Sequence, residues 1–206
     1  MVSPHDLEIG SLSLSEVGEA AESCTACELY EDATQVVFGD GPSAASLMLV
    51  GEQPGDREDR AGEPFVGPAG RELDRALETA GIDRSDVYVT NVVKHIRFEE
   101  RGKKRLHKKP TRGQIEACRP WFEAELEKVE PAVIVCLGGS AAQALLGSGV
   151  RVMQDHGVPI EWEGLLVVPT IHPSFILRSR GGERGPELFE LLVGDLRGAA
   201  ELASSD

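Results

Sequence analysis

Two sets of side chains have the types and spacing to do chemistry. Cys24-Thr25-Ala26-Cys27 places two thiols in a C-x2-C pair, and Cys118 and Cys136 follow with seventeen residues between them. Four thiolates can hold one tetrahedral zinc ion or one iron–sulfur cluster. Spacing does not choose between these, and Cys118 in a helical stretch and Cys136 in a strand-like one could equally be plain core residues. The second set stands where apolar runs end. Glu52 and Gln53 follow Leu47-Met48-Leu49-Val50-Gly51, Asn91 follows Val87-Tyr88-Val89-Thr90, and His172 follows a run at residues 165–168; Phe65 and His107 lie on connecting loops. Ligands of open α/β sheets sit at the carboxyl ends of strands, so these residues occupy the place where chemistry is expected. The plain alternative is a Gly-Pro turn after one strand, a turn-forming Asn after another and a His-Pro cap after a third.

Those positions require a particular set of elements. An apolar run closed by Gly and Pro reads as a buried strand of a parallel sheet. Strands are expected at residues 47–50, 87–91, 132–137 and 165–168. A charged loop spans residues 56–60. Helical apolar spacing covers Pro68–Ala80, with Gly81 as its stop. Thr111 can cap a helix running to about Val129, with a kink or break at Pro120. Gly138-Gly139-Ser140 opens another helix, Phe175 a further one, and residues 186–202 form a terminal amphipathic helix. Strands alternating with helices predict a single α/β domain over residues 1–206, an α/β/α three-layer fold around a four-stranded parallel sheet, with residues 1–12 as a flexible tail.

Composition narrows the function classes. A chain of 206 residues is long enough for one full core. No apolar run approaches the roughly 20 residues of a membrane span, and the acidic N-terminus lacks the apolar stretch of a secretory signal; a cytoplasmic protein without a membrane partner is expected. A net charge of −14 argues against indiscriminate nucleic-acid binding. The charge is uneven, however. Residues 94–112 hold nine Lys or Arg against two Glu, a local balance of +7 that leaves −21 for the rest. Such an island could dock a polyanion that the remaining surface repels, or could be a solvated loop.

Gly51-Glu52-Gln53-Pro54-Gly55, the Gly62-x-Pro64-Phe65-Val66-Gly67 segment, Thr90-Asn91 and His172-Pro173-Ser174 resemble, in order, the motifs of the uracil-DNA glycosylase superfamily. The four cysteines are similar to the cluster-binding pattern of its family 4 branch. Lys103-Lys104-Arg105-Leu106-His107 resembles the inserted basic loop, ending in histidine, that marks the UdgX group, and Gln53 after Glu52 fits that group too. The loop reads K-K-R-L-H against K-R-R-I-H, a conservative departure that leaves the histidine intact. The resemblance runs from Cys24 to the terminal helix.

This resemblance implies a glycosylase that excises uracil from DNA, single-stranded DNA above all, and acts as a monomer. It implies a [4Fe-4S] cluster on Cys24, Cys27, Cys118 and Cys136. Phe65 would be the platform for a base flipped out of its stack. The Asn91 amide offers the one donor and one acceptor that match uracil O4 and N3–H and mismatch cytosine. His172 would donate to uracil O2 as that oxygen gains charge, with backbone N–H groups around Gln53 assisting. Ser174, near a helix start, would take a phosphate, as would Lys103, Lys104, Arg105, Lys108 and Lys109. His107 would attack C1′ of the deoxyribose and stay bonded to the DNA, with Glu52 as the group that orients its ring. The alternatives are a conventional family 4 enzyme that releases a free abasic site and a non-catalytic iron–sulfur DNA-binding module.

Overall fold

The computed structural model describes residues 9–102, 104–179 and 184–204. In chain order the helices are α1 (Leu14–Ala21), α2 (Leu29–Asp32), α3 (Asp56–Ala61), α4 (Pro68–Ala80), α5 (Arg112–Val129), α6 (Gly139–Leu146), α7 (Val152–Asp155), α8 (Pro173–Arg178) and α9 (Arg184–Ala203). The strands are β1 (Leu47–Gly51), β2 (Val87–Asn91), β3 (Phe98–Arg101), β4 (Lys104–His107), β5 (Val133–Leu137), β6 (Ile160–Trp162) and β7 (Leu165–Thr170).

The sheet has the order β2-β1-β5-β7-β6, and β1, β2, β5 and β7 run parallel. The four expected strands are therefore present, joined by a fifth: β6 pairs antiparallel with β7 at one edge. Its three residues are too few to show a periodicity. Strands buried on both faces account for the unbroken apolar runs. Leu47, Leu49, Val133 and Val135 pack with Leu73 and Leu77 of α4 and Leu192 and Leu196 of α9. Met48, Val50, Ile134 and Cys136 face the other way, against Val17 of α1, Trp121 of α5 and Ala141 of α6. These are the two outer layers of an α/β/α fold.

Local chemistry sets the helix limits. Pro68 and Gly81 bracket α4, the latter with a left-handed φ of 80°. Thr111 and Gln114 form a capping box at the start of α5. The break expected at Pro120 does not occur: α5 runs through it. The ring removes one helical hydrogen bond, while the buried Trp121 and Phe122 beside it anchor the helix to the sheet. The charged loop expected at residues 56–60 is instead α3, whose three carboxylates fall in the first turn and whose Arg60 falls in the last, both favourable to the helix dipole. The end of the expected tail is also ordered: Ile9–Ser11 form a 3-10 turn, and Leu12 packs on the core.

Candidate active site

The carboxyl ends of β1, β2, β5 and β7 open into a cleft of about 730 Å3 lined by Glu52, Gln53, Phe65, Asn91, His107 and His172, among others. Glycine makes the crowding at its floor possible. A Cβ on Gly51 would stand 2.3 Å from Asn91 Oδ1 and 2.7 Å from Phe65 Cζ, so the missing side chain lets the amide and the ring meet over the end of β1. Phe65 takes a left-handed φ of 58°, a strained conformation for an aromatic residue. Its carbonyl tucks against Gly70, where a Cβ would lie 1.4 Å away. Asn91 is 2 % and Phe65 7 % exposed, so both are held by their surroundings.

His172 caps α8. Its Nδ1 accepts from Ser174 N–H at 3.1 Å and lies 2.8 Å from Ser174 Oγ, which in turn accepts from Arg178 Nη1 at 2.9 Å. An Nδ1 that accepts leaves the ring proton on Nε2, a donor. Burial, and then the charge of Arg178, push the His172 pKa down to about 4, so the ring is neutral at physiological pH. The ring centroid stands 6.0 Å from that of Phe65, with the planes tilted by 31°.

His107 arrives from the opposite lip. The basic island is an antiparallel hairpin of β3 and β4, in which His107 pairs with Phe98. Sequence reasoning left it as a loop because its strands are polar and lack apolar alternation. Gln53 grips the neck of the hairpin. Its Oε1 accepts from Arg97 N–H at 3.0 Å, and its Nε2 contacts the carbonyls of Arg97 and Lys108, both at 3.1 Å. The amide oxygen is committed to Arg97 N–H, so the NH2 group, with two protons shared among three acceptors, faces His107 Nε2 as a donor at 2.7 Å. His107 Nε2 is then the acceptor and Nδ1 carries the proton. The ring keeps an exposed face, yet enough protein surrounds it that desolvation lowers its pKa; the charges of Glu52 and Glu58 oppose that shift. The orienting hydrogen bond thus comes from Gln53 and not from Glu52 as expected. Glu52 Oε1 is buried and has no hydrogen-bond partner among the described residues.

The residues expected to contact DNA divide. Lys103 lies outside the described residues. Lys104 is exposed. Arg105 is turned inward: its Nη1 donates to Asp59 Oδ2 at 2.5 Å, and its guanidinium lies 4.3 Å from the centre of the Phe98 ring. It ties the hairpin to α3 and is not presented to a phosphate. Lys108 pairs with Glu99 at 2.7 Å, and Lys109 is exposed. The hydroxyl of Ser174 is engaged by His172 and Arg178. Lys94 and His95, which follow β2, do not line the cleft. The Lys94 ammonium is buried on the far side of β2, paired with Glu125 and bonded to Thr90 Oγ1 at 2.7 Å and Asn91 O at 2.8 Å. Sequence reasoning missed Arg178, Glu58 and Asp59; their only signal was charge beside a motif.

Cys24, Cys118 and Cys136 share one core cluster on the same side of the sheet, and Cys27 packs against it. Burial raises the thiol pKa of Cys27, Cys118 and Cys136. Cys136 sits within the sheet, opposite Val50 on one side and Pro169 on the other. Trp121 Nε1–H donates to Cys24 Sγ at 3.1 Å and Lys94 N–H to Cys118 Sγ at 3.2 Å, the N–H···S bonds that suit a thiolate bound to metal. Among the described residues no three His, Cys, Asp or Glu side chains converge tightly enough for a single metal ion. These four thiols are the residues that would hold the expected cluster.

The family model of the Uracil DNA glycosylase superfamily matches residues 38–197, which include every cleft residue named above. The chain is 40 % identical over 169 residues to a type-4 uracil-DNA glycosylase of Thermotoga maritima, covering 81 % of this chain and 84 % of that protein. It is 32 % identical over 200 residues to a type-4 uracil-DNA glycosylase of Sulfurisphaera tokodaii, covering 93 % and 85 % respectively. A strand-end cleft that joins a buried carboxamide, an aromatic platform and a neutral imidazole donor, set within a match of this extent, makes the chain a member of the uracil-DNA glycosylase superfamily.

Proposed function

We propose that this protein excises uracil from DNA and that His107 then captures the sugar as a covalent adduct. The observation that carries the second step is the Gln53–His107 bond, which leaves a neutral imidazole with its lone pair on Nε2 at the lip of the cleft. In the proposed reaction, uracil stacks on Phe65 and its O4 and N3–H meet the Asn91 amide. The C1′–N1 bond breaks, and its electron pair leaves with uracil as an N1 anion whose charge reaches O2. His172 Nε2–H donates to that oxygen. The His107 lone pair leaves Gln53 and bonds to C1′, and the ring becomes an imidazolium that keeps its Nδ1 proton. The Glu52 carboxylate, which already favours a positive ring, offsets that charge. The uracil anion takes a proton from water on release.

Single-stranded DNA is the proposed substrate, since its bases leave the stack without unpairing. The cofactor is proposed to be a [4Fe-4S] cluster on Cys24, Cys27, Cys118 and Cys136, which would tie the N-terminal segment to α5 and β5; the packing of all four in one core region supports it. Iron analysis and visible absorption test this, and a colourless protein with stoichiometric zinc overturns it.

The second reading is a turnover enzyme that delivers water to C1′ and releases the abasic site. The likeness to proteins named type-4 uracil-DNA glycosylases favours it. A denaturing gel of protein mixed with a uracil-containing oligonucleotide separates the two. A band that survives SDS and heat supports the adduct, and free abasic product supports turnover. Asn91→Asp is expected to lower base release by orders of magnitude, because a buried donor is replaced by a charge.

A further inference from the structure

We propose that Glu58 is a positioning residue that sets the width of the uracil slot by bracing its two lips apart. The proposal rests on the reading of the cleft as a uracil site. Glu58 lies in the first turn of α3 and is only 8 % exposed. Its Oε1 accepts from Gly67 N–H at 2.7 Å. A Cβ on Gly67 would stand 2.7 Å from that oxygen, and a Cβ on Gly55 would stand 2.6 Å from Oε2. The carboxylate therefore fills the room that two side chains would take.

These two glycines belong to opposite lips. Gly55 closes the turn that starts with Glu52 and Gln53, and it precedes α3. Gly67 follows Phe65 by two residues and is the N-cap of α4. Phe65 sits in a left-handed conformation that its own side chain disfavours, so it depends on restraint from both sides. Gly70 receives its carbonyl, and Glu58 fixes the amide two residues on. Lengthening or shortening the brace changes where the ring stands relative to Asn91 and His172. The N-terminus of α3 lessens the cost of holding a carboxylate in this space.

Glu58 also acts electrostatically on His107, so the test must separate reach from charge. Glu58→Gln keeps the length and an accepting oxygen but loses the charge. Glu58→Asp keeps the charge but is one methylene short of Gly67. Base release from a uracil-containing single-stranded oligonucleotide is followed, together with its inhibition by free uracil and the melting temperature of each variant. Bracing predicts that Glu58→Gln holds the uracil inhibition constant within about threefold of wild type, while Glu58→Asp raises it about tenfold or more with a smaller change in the saturated rate. Abasic oligonucleotide affinity should move little in either variant. Any other ordering overturns the proposal, whether Asp matches wild type while Gln falls, or both match, or both fall alike. Absence of base release by the wild-type protein removes the uracil-site reading itself, and this proposal with it.

Discussion

The cleft presents two histidines, and the regions that carry them are built in opposite ways. His172 is set locally: the end of β7 and the first turn of α8 supply Ser174 N–H and Ser174 Oγ to its Nδ1, two residues away. His107 is set from a distance. Its Nε2 is bonded by Gln53, fifty-four positions earlier, and its hairpin is tied to α3 by Arg105. Both rings are neutral because burial disfavours the imidazolium. Yet the two Nε2 atoms differ in kind. His172 has a free proton at Nε2, whereas His107 has there an electron pair that Gln53 holds and that must be released before the proposed attack. The same side chain thus suits a donor in one place and the proposed nucleophile in the other, because different partners set the two tautomers.

The largest expected effect comes from removing the proposed nucleophile. His107→Ala should abolish the SDS-resistant adduct and leave the Phe65, Asn91 and His172 pocket untouched, so slow base release should persist. A denaturant-stable adduct in this variant would falsify the nucleophile assignment. Removing the other member should strike an earlier step. His172→Ala should slow base release about 100- to 1000-fold, and adduct formation with it, in single-turnover assays. If adduct yield fell while base release held, the two roles would be reversed.

Arg105 tests whether distant tethering matters. Arg105→Ala leaves the wholly buried Asp59 with only Thr34 as a side-chain partner. It should cost about 2 kcal/mol of stability by denaturant titration and slow adduct formation about tenfold more than base release. Equal slowing of both would mean that the hairpin supports the whole cleft and not His107 alone.

The pH dependence should separate the two rings. Attack needs unprotonated His107, whose folded pKa lies below the usual 6.5. Adduct formation should therefore be flat at neutral pH and above, and fall as pH drops through that lowered value. Donation needs neutral His172, so base release by His107→Ala should persist until about pH 4. A fall in that release near pH 6.5 would show that the His172 ring is better solvated in solution than it is here. The smallest effect concerns the outward face of the hairpin. Lys104→Ala and Lys109→Ala should each weaken DNA binding modestly and reduce its salt dependence by about one counterion; an unchanged salt slope would show that they face away from the strand.

The comparison also explains what could be read from sequence. The four parallel strands, the limits of α4 and the strand-end placement of Asn91 and His172 were legible because burial on two faces, Pro at a helix start and Gly at its end leave local marks. His172 belongs to that class, since its partners are its neighbours. The setting of His107 was not legible. A glutamine that reaches across fifty-four positions leaves no local mark, and neither does an arginine that turns inward from a basic run.

The buried pair behind Asn91 has a consequence for how this protein can change over generations. Lys94 and Glu125 are 1 % and 0 % exposed, and Glu125 also accepts from Gly39 N–H, Tyr88 OH and Thr90 Oγ1. Losing either partner strands the other charge in the core, at about 3–5 kcal/mol, a large part of the stability of an ordinary domain. Single substitutions at either position are thus closed to drift, while a joint replacement by two apolar residues of matching volume is open. The two codons, thirty-one positions apart, behave as one heritable unit. A lineage that crosses to the apolar solution would also surrender the ammonium that holds the Asn91 carbonyl, so the route out of this pair disturbs the backbone of a cleft residue.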